Sequence, residues 1–335
     1  MTAAARRPTL TANRPDTPPP SPGAMSQTPL DPATRAFLDR LASGRRPPTW
    51  QLPVAEAREG FARLQRRAGQ PGPATVTAAD LTVAGAAGPL AARLYTPPAE
   101  QAVAARPLLL WLHGGGWVMG GLDTHDGPCR TIAHGYGGPV LAVDYRLAPE
   151  APFPAALDDA EAALAWAMER FGPVALGGDS AGGNLAAALC LRLAGRRAPQ
   201  PVHQVLVYPC LDATLAGASH AEHGQGRFLE EADVLWFLDH YATGHGVSVL
   251  DPELSPLLAE SLRGLPPATV VIAGHDPLAD DGRRWVARLR AEGIGARLIE
   301  HGGLIHGFLH MTALIPAAEA ALQALGAEIA ADMAV

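Results

Sequence analysis

From about residue 107 onward the apolar residues fall into short unbroken runs separated by stretches of helical spacing. Ala296–Glu300 (ARLIE), with two charged residues, reads as the last strand, while Pro107–Leu112 (PLLLWL), Val140–Tyr145, Val174–Gly177, Val205–Tyr208 and Thr269–Ala273 (TVVIA) are too short for helices and lack polar alternation. Such runs predict strands buried on both faces. Between them, Ala155–Arg170, Asn184–Ala194 and Leu278–Glu292 carry apolar residues at helical spacing. A strand–helix alternation of this kind predicts an α/β fold: a mostly parallel central sheet flanked by helices on both faces. Upstream, Leu81–Val83 and Ala91–Tyr95 predict a hairpin that opens the sheet.

Two parts of the chain depart from the alternation. Pro32–Ala42 and Val54–Ala68 read as helices with no strand partners nearby. Leu211–Leu262 begins with a small, polar, loop-like stretch (Asp212–Gly226) and continues into an amphipathic helix, Glu230–Tyr241, carrying Trp236 and Phe237. An insertion between core strands suits a lid over a site. The expected organisation is therefore a disordered segment over residues 1–28, cap helices over 29–74, and a core over 75–335 with a cap insertion at about 211–262. The first segment is rich in Pro, Ala, Arg and Thr without periodicity. Arg6-Arg7 is followed by no apolar core, so export is not expected. Met25 offers an alternative start.

Chemistry concentrates at the ends of the predicted strands. Gly178-Asp179-Ser180-Ala181-Gly182 follows one strand and precedes a helix. Glycines two residues either side of a serine permit a tight strand-to-helix turn that exposes the hydroxyl. His113-Gly114-Gly115-Gly116-Trp117 follows another strand. Bare glycine N–H groups there, with that of Ala181, can form a pocket for a developing oxyanion; Gly114, Gly115 and Ala181 are the expected donors. No Gly-Lys-Ser/Thr or dinucleotide spacing follows, which argues against a phosphate loop. In this arrangement the order is serine, acid, histidine. Asp276 ends the 269–273 strand, whereas Asp280 and Asp281 fall at a helix start, where carboxylates favour the dipole. His306 follows the last strand in the expected exit loop, His301–Phe308, with His301 and His310 as competitors. The catalytic candidates are thus Ser180, Asp276 and His306. His113, Asp179 and Glu150 are expected to hold structure.

Composition narrows the partners. The 335 residues are 48% hydrophobic and 18% charged, with formal net charge −7 from 33 acidic and 26 basic side chains. That balance disfavours nucleic acid or an anionic membrane surface. No apolar run reaches membrane-span length, so stable membrane insertion is not expected. Three cysteines without C-x-x-C spacing suggest reduced buried thiols and a cytoplasmic setting. The 12 histidines include no H-E-x-x-H, so neither a metal site nor another cofactor is expected.

Taken in order, HGGGW (113–117), DYRLAPE (144–150), GDSAGGN (178–184), DPLADDG (276–282) and HGF (306–308) resemble the bacterial hormone-sensitive-lipase-like esterases of the α/β-hydrolase superfamily. The resemblance runs from roughly Thr75 to the C-terminus. It implies an α/β-hydrolase fold with a helical cap, carboxylesterase activity on small short-acyl esters, a triad at Ser180, Asp276 and His306, and compatibility with a homodimer. Trp117 stands where the family more often has Phe or Tyr; it is a candidate pocket residue, with core packing as the alternative. An amidase, formamidase or acyltransferase would use the same constellation. A non-catalytic ligand receptor of this type would lack the histidine.

Overall fold

The computed structural model describes residues 28–44 and 47–333. The segment expected to be disordered lies, apart from Thr28, outside the described residues. Eight strands form one sheet in the order β1-β2-β4-β3-β5-β6-β7-β8. Strands β1 (Thr77–Gly85) and β2 (Gly88–Thr96) form the expected hairpin, and β2 pairs antiparallel with β4 (Val140–Val143). The remaining pairings, through β3 (Leu108–Leu112), β5 (Val174–Asp179), β6 (Gln204–Val207), β7 (Ala268–His275) and β8 (Ala296–Ile305), are parallel.

The unbroken apolar runs follow from where the strand faces point. Successive side chains of a strand project to opposite faces. In β3, Leu108, Leu110 and Leu112 join the apolar cluster on one face of the sheet. Leu109 and Trp111 join the cluster on the other. Both faces are covered, so a polar residue has no solvent-facing position to occupy. Helices α3 (Asp126–Tyr136) and α9 (Pro316–Asp332) pack together beneath the second face. Helices α4 (Ala155–Phe171), α5 (Ala181–Gly195) and α8 (Ala279–Ala291) contribute to the first.

Helices α1 (Pro32–Ser43) and α2 (Val54–Ala68) fall where helical spacing predicts them. Asp31 caps α1 by accepting the Thr34 N–H at 2.9 Å. The 211–262 segment contains a short helix α6 (Ala218–His223) and α7 (Glu231–Tyr241), whose start carries a capping box between Glu230 and Asp233. Asn184 of α5 anchors this segment. Its buried side-chain amide donates to the carbonyls of Cys210 and Leu254, both at 2.8 Å.

One expected boundary is corrected. The exit loop assigned to His301–Phe308 is strand as far as Ile305, and His301 pairs with Ala273 inside the sheet. Glycines allow close backbone approach here: a Cβ on Gly274 would fall on the Gly302 backbone, and one on Gly303 would sit 3.2 Å from the Asp31 nitrogen, whose N–H the Gly303 carbonyl accepts at 2.9 Å. Among the described residues, no helix is long and apolar enough to cross a membrane, and Cys129, Cys190 and Cys210 are buried free thiols.

Candidate active site

Strands β3, β5, β7 and β8 run parallel, and the groups expected to carry chemistry emerge at their carboxyl ends. Open α/β sheets place sites at this edge. Ser180 links β5 to α5 at φ 55° and ψ −116°. A non-glycine residue in this region costs about 1–3 kcal/mol. Its neighbours explain how it is held. The Ser180 N–H donates to Val207 at 2.9 Å, and its carbonyl accepts from Asn184 at 3.0 Å. Any Cβ on Gly178 or Gly182 would collide with the Leu112 carbonyl, so the glycine at each flank is a steric requirement.

Asp276 follows β7 and His306 follows β8. The His306 Nδ1–H donates to Asp276 Oδ2 at 2.8 Å, and the Ser180 hydroxyl donates to His306 Nε2 at 2.9 Å. Residues 126 positions apart in the chain are therefore in direct contact. Asp276 is fully buried, and its Oδ1 accepts the Leu278 N–H at 2.8 Å. Two donors hold the carboxylate, and the carboxylate fixes the imidazole tautomer that leaves Nε2 as acceptor. The Tyr208 ring packs 4.6 Å from the His306 ring. Burial pushes the Tyr208 phenol well above its ordinary value, so it stays neutral.

The competing residues lie elsewhere. Asp280 accepts the Ser219 N–H at 2.9 Å and pairs with Arg283. Asp281 accepts the N–H groups of Leu211 and Asp212, and burial holds its carboxyl well above the usual range. Glu150 forms a bidentate pair with Arg58, which keeps its carboxyl near 2. His113 donates through Nδ1 to the Gly114 carbonyl and stacks on Tyr145 at 4.2 Å. Burial lowers it to about 3, so it is neutral.

The glycine loop differs from expectation at one position. The Gly114 N–H is directed at Asp179 Oδ1, 3.1 Å away, and at His125 Nε2, 3.2 Å away. It is committed to the interior and is not a donor to the cavity. Gly115 and Gly116 line the cavity, with φ of 122° and 62°. Among the described residues, the N–H groups of Gly115, Gly116 and Ala181 have no protein acceptor. The sequence treats the three glycines alike, and only the path of the chain distinguishes them. Gly116 is the residue missed: a Cβ there would fall on the Phe237 ring.

These groups open onto a cavity of about 530 Å³. Leu38 of α1, Phe61 and Leu64 of α2, and Leu229 and Phe237 of the 211–262 segment line it as well. Trp117 lines it but is 2% exposed and stacks on Tyr241 at 4.7 Å, so packing is its main contact. Asp233 lines the cavity; burial raises its carboxyl to about 6, and it accepts the Trp50 N–H at 3.2 Å.

Residues 109–310 match the sequence profile of a family described as having the alpha/beta hydrolase fold. The carboxylic ester hydrolase LipN of Mycobacterium tuberculosis is 46% identical over 255 residues, 72% of this chain and 67% of the relative. The protein belongs to the hormone-sensitive-lipase-like α/β hydrolases. Ethyl acetate hydrolase of Pseudomonas putida is 37% identical over 310 residues, 88% of this α/β hydrolase and 96% of the relative. A solved α/β hydrolase from the metagenome of Lake Arreo, 35% identical, superposes with a TM-score of 0.86 over 91% of this chain and 99% of its own. A thermostable esterase from Pseudomonas putida, 30% identical, superposes with a TM-score of 0.85 over 92% and 98%.

Proposed function

We propose that this α/β hydrolase is a serine carboxylesterase that cleaves small, short-acyl esters through an acyl-enzyme. The observation that carries the reading is the continuous chain Ser180–His306–Asp276 opening on a cavity beside three unpaired backbone donors. The relatives' printed activities, a carboxylic ester hydrolase and an ethyl acetate hydrolase, support the substrate class.

Each role follows from the contacts. Ser180 Oγ attacks the ester carbonyl as His306 Nε2 takes its proton. Negative charge then builds on the former carbonyl oxygen. The N–H groups of Gly115, Gly116 and Ala181 meet it, the last at the positive N-terminus of α5. Donors fixed in place before reaction favour the transition state over the substrate. His306 returns the proton to the leaving alcohol, then activates water to release the acid, while Asp276 stabilises the imidazolium. Helices α1 and α2 and the 211–262 segment act as the cap, confining the acyl and alcohol groups against apolar walls. Trp117 shapes one wall through its stack on Tyr241.

The test is hydrolysis of p-nitrophenyl esters from acetate to decanoate. The confined cavity predicts the highest kcat/KM at acetate to hexanoate and a fall of roughly tenfold or more by decanoate, since a methylene without room loses at least that much. Preference for decanoate would overturn the short-acyl reading. Failure to hydrolyse any ester would overturn the esterase reading.

A further inference from the structure

Beneath the nucleophile turn lies a group of side chains that the hydrolytic scheme does not use. His125 stands at the start of α3, just beyond the glycine loop. Asp179 is the last residue of β5, immediately before Ser180. His310 lies four positions beyond His306 in a short helical turn. All three are buried, at 0%, 1% and 4% exposure. One ligand atom from each lies within 4.8 Å of the other two.

The hydrogen bonding leaves this group incomplete. The Thr124 hydroxyl donates its one proton to the Gly121 carbonyl at 2.8 Å, so at 2.9 Å it accepts from His125 Nδ1. His125 Nε2 then faces Asp179 Oδ1 at 3.2 Å and Oδ2 at 3.4 Å. The Gly114 N–H points at both His125 Nε2, at 3.2 Å, and Asp179 Oδ1, at 3.1 Å, and serves that pair. It does nothing for His310, whose Nδ1 and Nε2 both lack a partner. His310 Nε2 is aimed at Asp179 Oδ2 from 3.6 Å, too far for a hydrogen bond. A buried imidazole with neither nitrogen satisfied is costly. A cation shared by all three groups would give His310 the partner it lacks.

The spacing matches that solution. A tetrahedral ion with ligand bonds of about 2.0–2.1 Å has its donors about 3.3–3.4 Å apart. The two edges from Asp179 to the histidines, 3.2 and 3.6 Å, bracket that length, and the third lies within 4.8 Å. The His125 and His310 rings meet at 84°, with centroids 4.5 Å apart, so the two Nε2 atoms do not stack face to face. Trp111 Nε1 at 3.3 Å and the Gly114 N–H at 3.1 Å supply outer contacts to the carboxylate, and Thr124 orients His125. Asp179 and His310 both border the cavity, which provides a route of entry.

We propose that His125, Asp179 and His310 form a binding site for one divalent first-row transition cation of the zinc or ferrous type. Two imidazoles and a carboxylate suit those ions and not magnesium or calcium, which prefer oxygen donors. The bound ion ties together the glycine loop, the nucleophile turn and the segment carrying His306. This is a second site, outside the hydrolytic scheme. The absent short-spacing zinc motif is no contradiction, because the donors come from three separate elements.

The test uses the untagged full-length protein, stripped with chelator and dialysed with Zn²⁺ or Co²⁺, with Mg²⁺ as control. Ferrous iron is added under anaerobic conditions. Metal content after gel filtration is measured by mass spectrometry and the cobalt form by visible absorption. The expected result is one zinc or cobalt per chain, no magnesium, and a cobalt spectrum of low coordination number. His310→Gln and His125→Asn should each weaken binding by roughly a hundredfold or more, since even outer-contact losses cost 10- to 100-fold. Exposed His245→Gln should leave binding unchanged. Should one of the two buried variants fail to fold, the other decides. Stripped wild-type protein that retains neither zinc, cobalt nor ferrous iron would overturn the proposal. So would a folded His310→Gln or His125→Asn that binds as wild type does. None of these readings depends on hydrolysis, so this proposal and the esterase reading fail separately.

Discussion

Asp276→Asn keeps the shape of the side chain and removes its charge. The carboxylate serves two donors at once, Leu278 N–H on Oδ1 and His306 Nδ1–H on Oδ2, each at 2.8 Å. An amide has only one acceptor. With that oxygen on Leu278, the amide NH₂ faces His306 Nδ1, which must then accept. The ring proton moves to Nε2, where the Ser180 hydroxyl needs a lone pair. Flipping the amide restores the tautomer but turns NH₂ against the Leu278 N–H. Leaving that buried donor unsatisfied costs about 1–3 kcal/mol, or roughly 5- to 150-fold in the competent form. The flipped amide also places no charge opposite the imidazolium. Together these losses predict a fall in kcat of roughly 10³–10⁴, about 4–5.5 kcal/mol of transition-state stabilisation. KM should change little, because Asp276 is fully buried and does not border the cavity. Steady-state hydrolysis of p-nitrophenyl butyrate measures both constants, with circular dichroism as the folding control. A loss smaller than tenfold in a folded variant would refute the reasoning. So would equal damage from Asp280→Asn, whose carboxylate serves Ser219 and Arg283 instead.

Two further predictions concern the cavity wall. Gly116→Ala places a methyl on the Phe237 ring and displaces the loop, so kcat should fall by roughly 10² as an oxyanion donor is lost; adding Phe237→Ala should recover most of that loss relative to Phe237→Ala alone, and an unchanged kcat in Gly116→Ala would remove the loop from the mechanism. Asp233 is raised by burial from an ordinary value of 3.8 to about 6. The folded state therefore holds this proton where the unfolded chain has lost it, and the group's stabilising effect fades as pH rises from about 4 through about 6. The shift corresponds to about 3 kcal/mol. Asp233→Asn should flatten the pH dependence of thermal unfolding in that window, and curves parallel to wild type would contradict the assignment.

The centre of the fold was legible because strands β3 to β7 are buried on both faces. That burial writes itself as unbroken runs such as Leu108–Leu112, whose alternate residues feed opposite cores. Ser180 and Asp276 were legible because each follows a strand whose end shows where an apolar run stops; His306 was singled out by His-Gly-Phe, although β8 runs past its predicted end at Glu300 to Ile305. Two things were not. The expected exit loop at His301–Phe308 is strand to Ile305, and only the packed backbones at Gly274 and Gly303 show why glycines belong in it. The commitment of Gly114 to Asp179 was equally hidden, because a run of identical glycines carries no signal about which N–H faces inward. The His125–Asp179–His310 group was invisible for the same kind of reason: its contacts span 54 positions and more, and no local spacing records them.

The central claim is that the Ser180 hydroxyl, relieved of its proton by His306, becomes covalently acylated. Intact-mass and peptide mass spectrometry after treatment with a fluorophosphonate measure this directly. One adduct per chain is expected on Ser180, forming at a rate that falls in parallel with kcat in Asp276→Asn and disappearing in Ser180→Ala. Labelling at another residue, or ester hydrolysis that persists undiminished in Ser180→Ala, would contradict it.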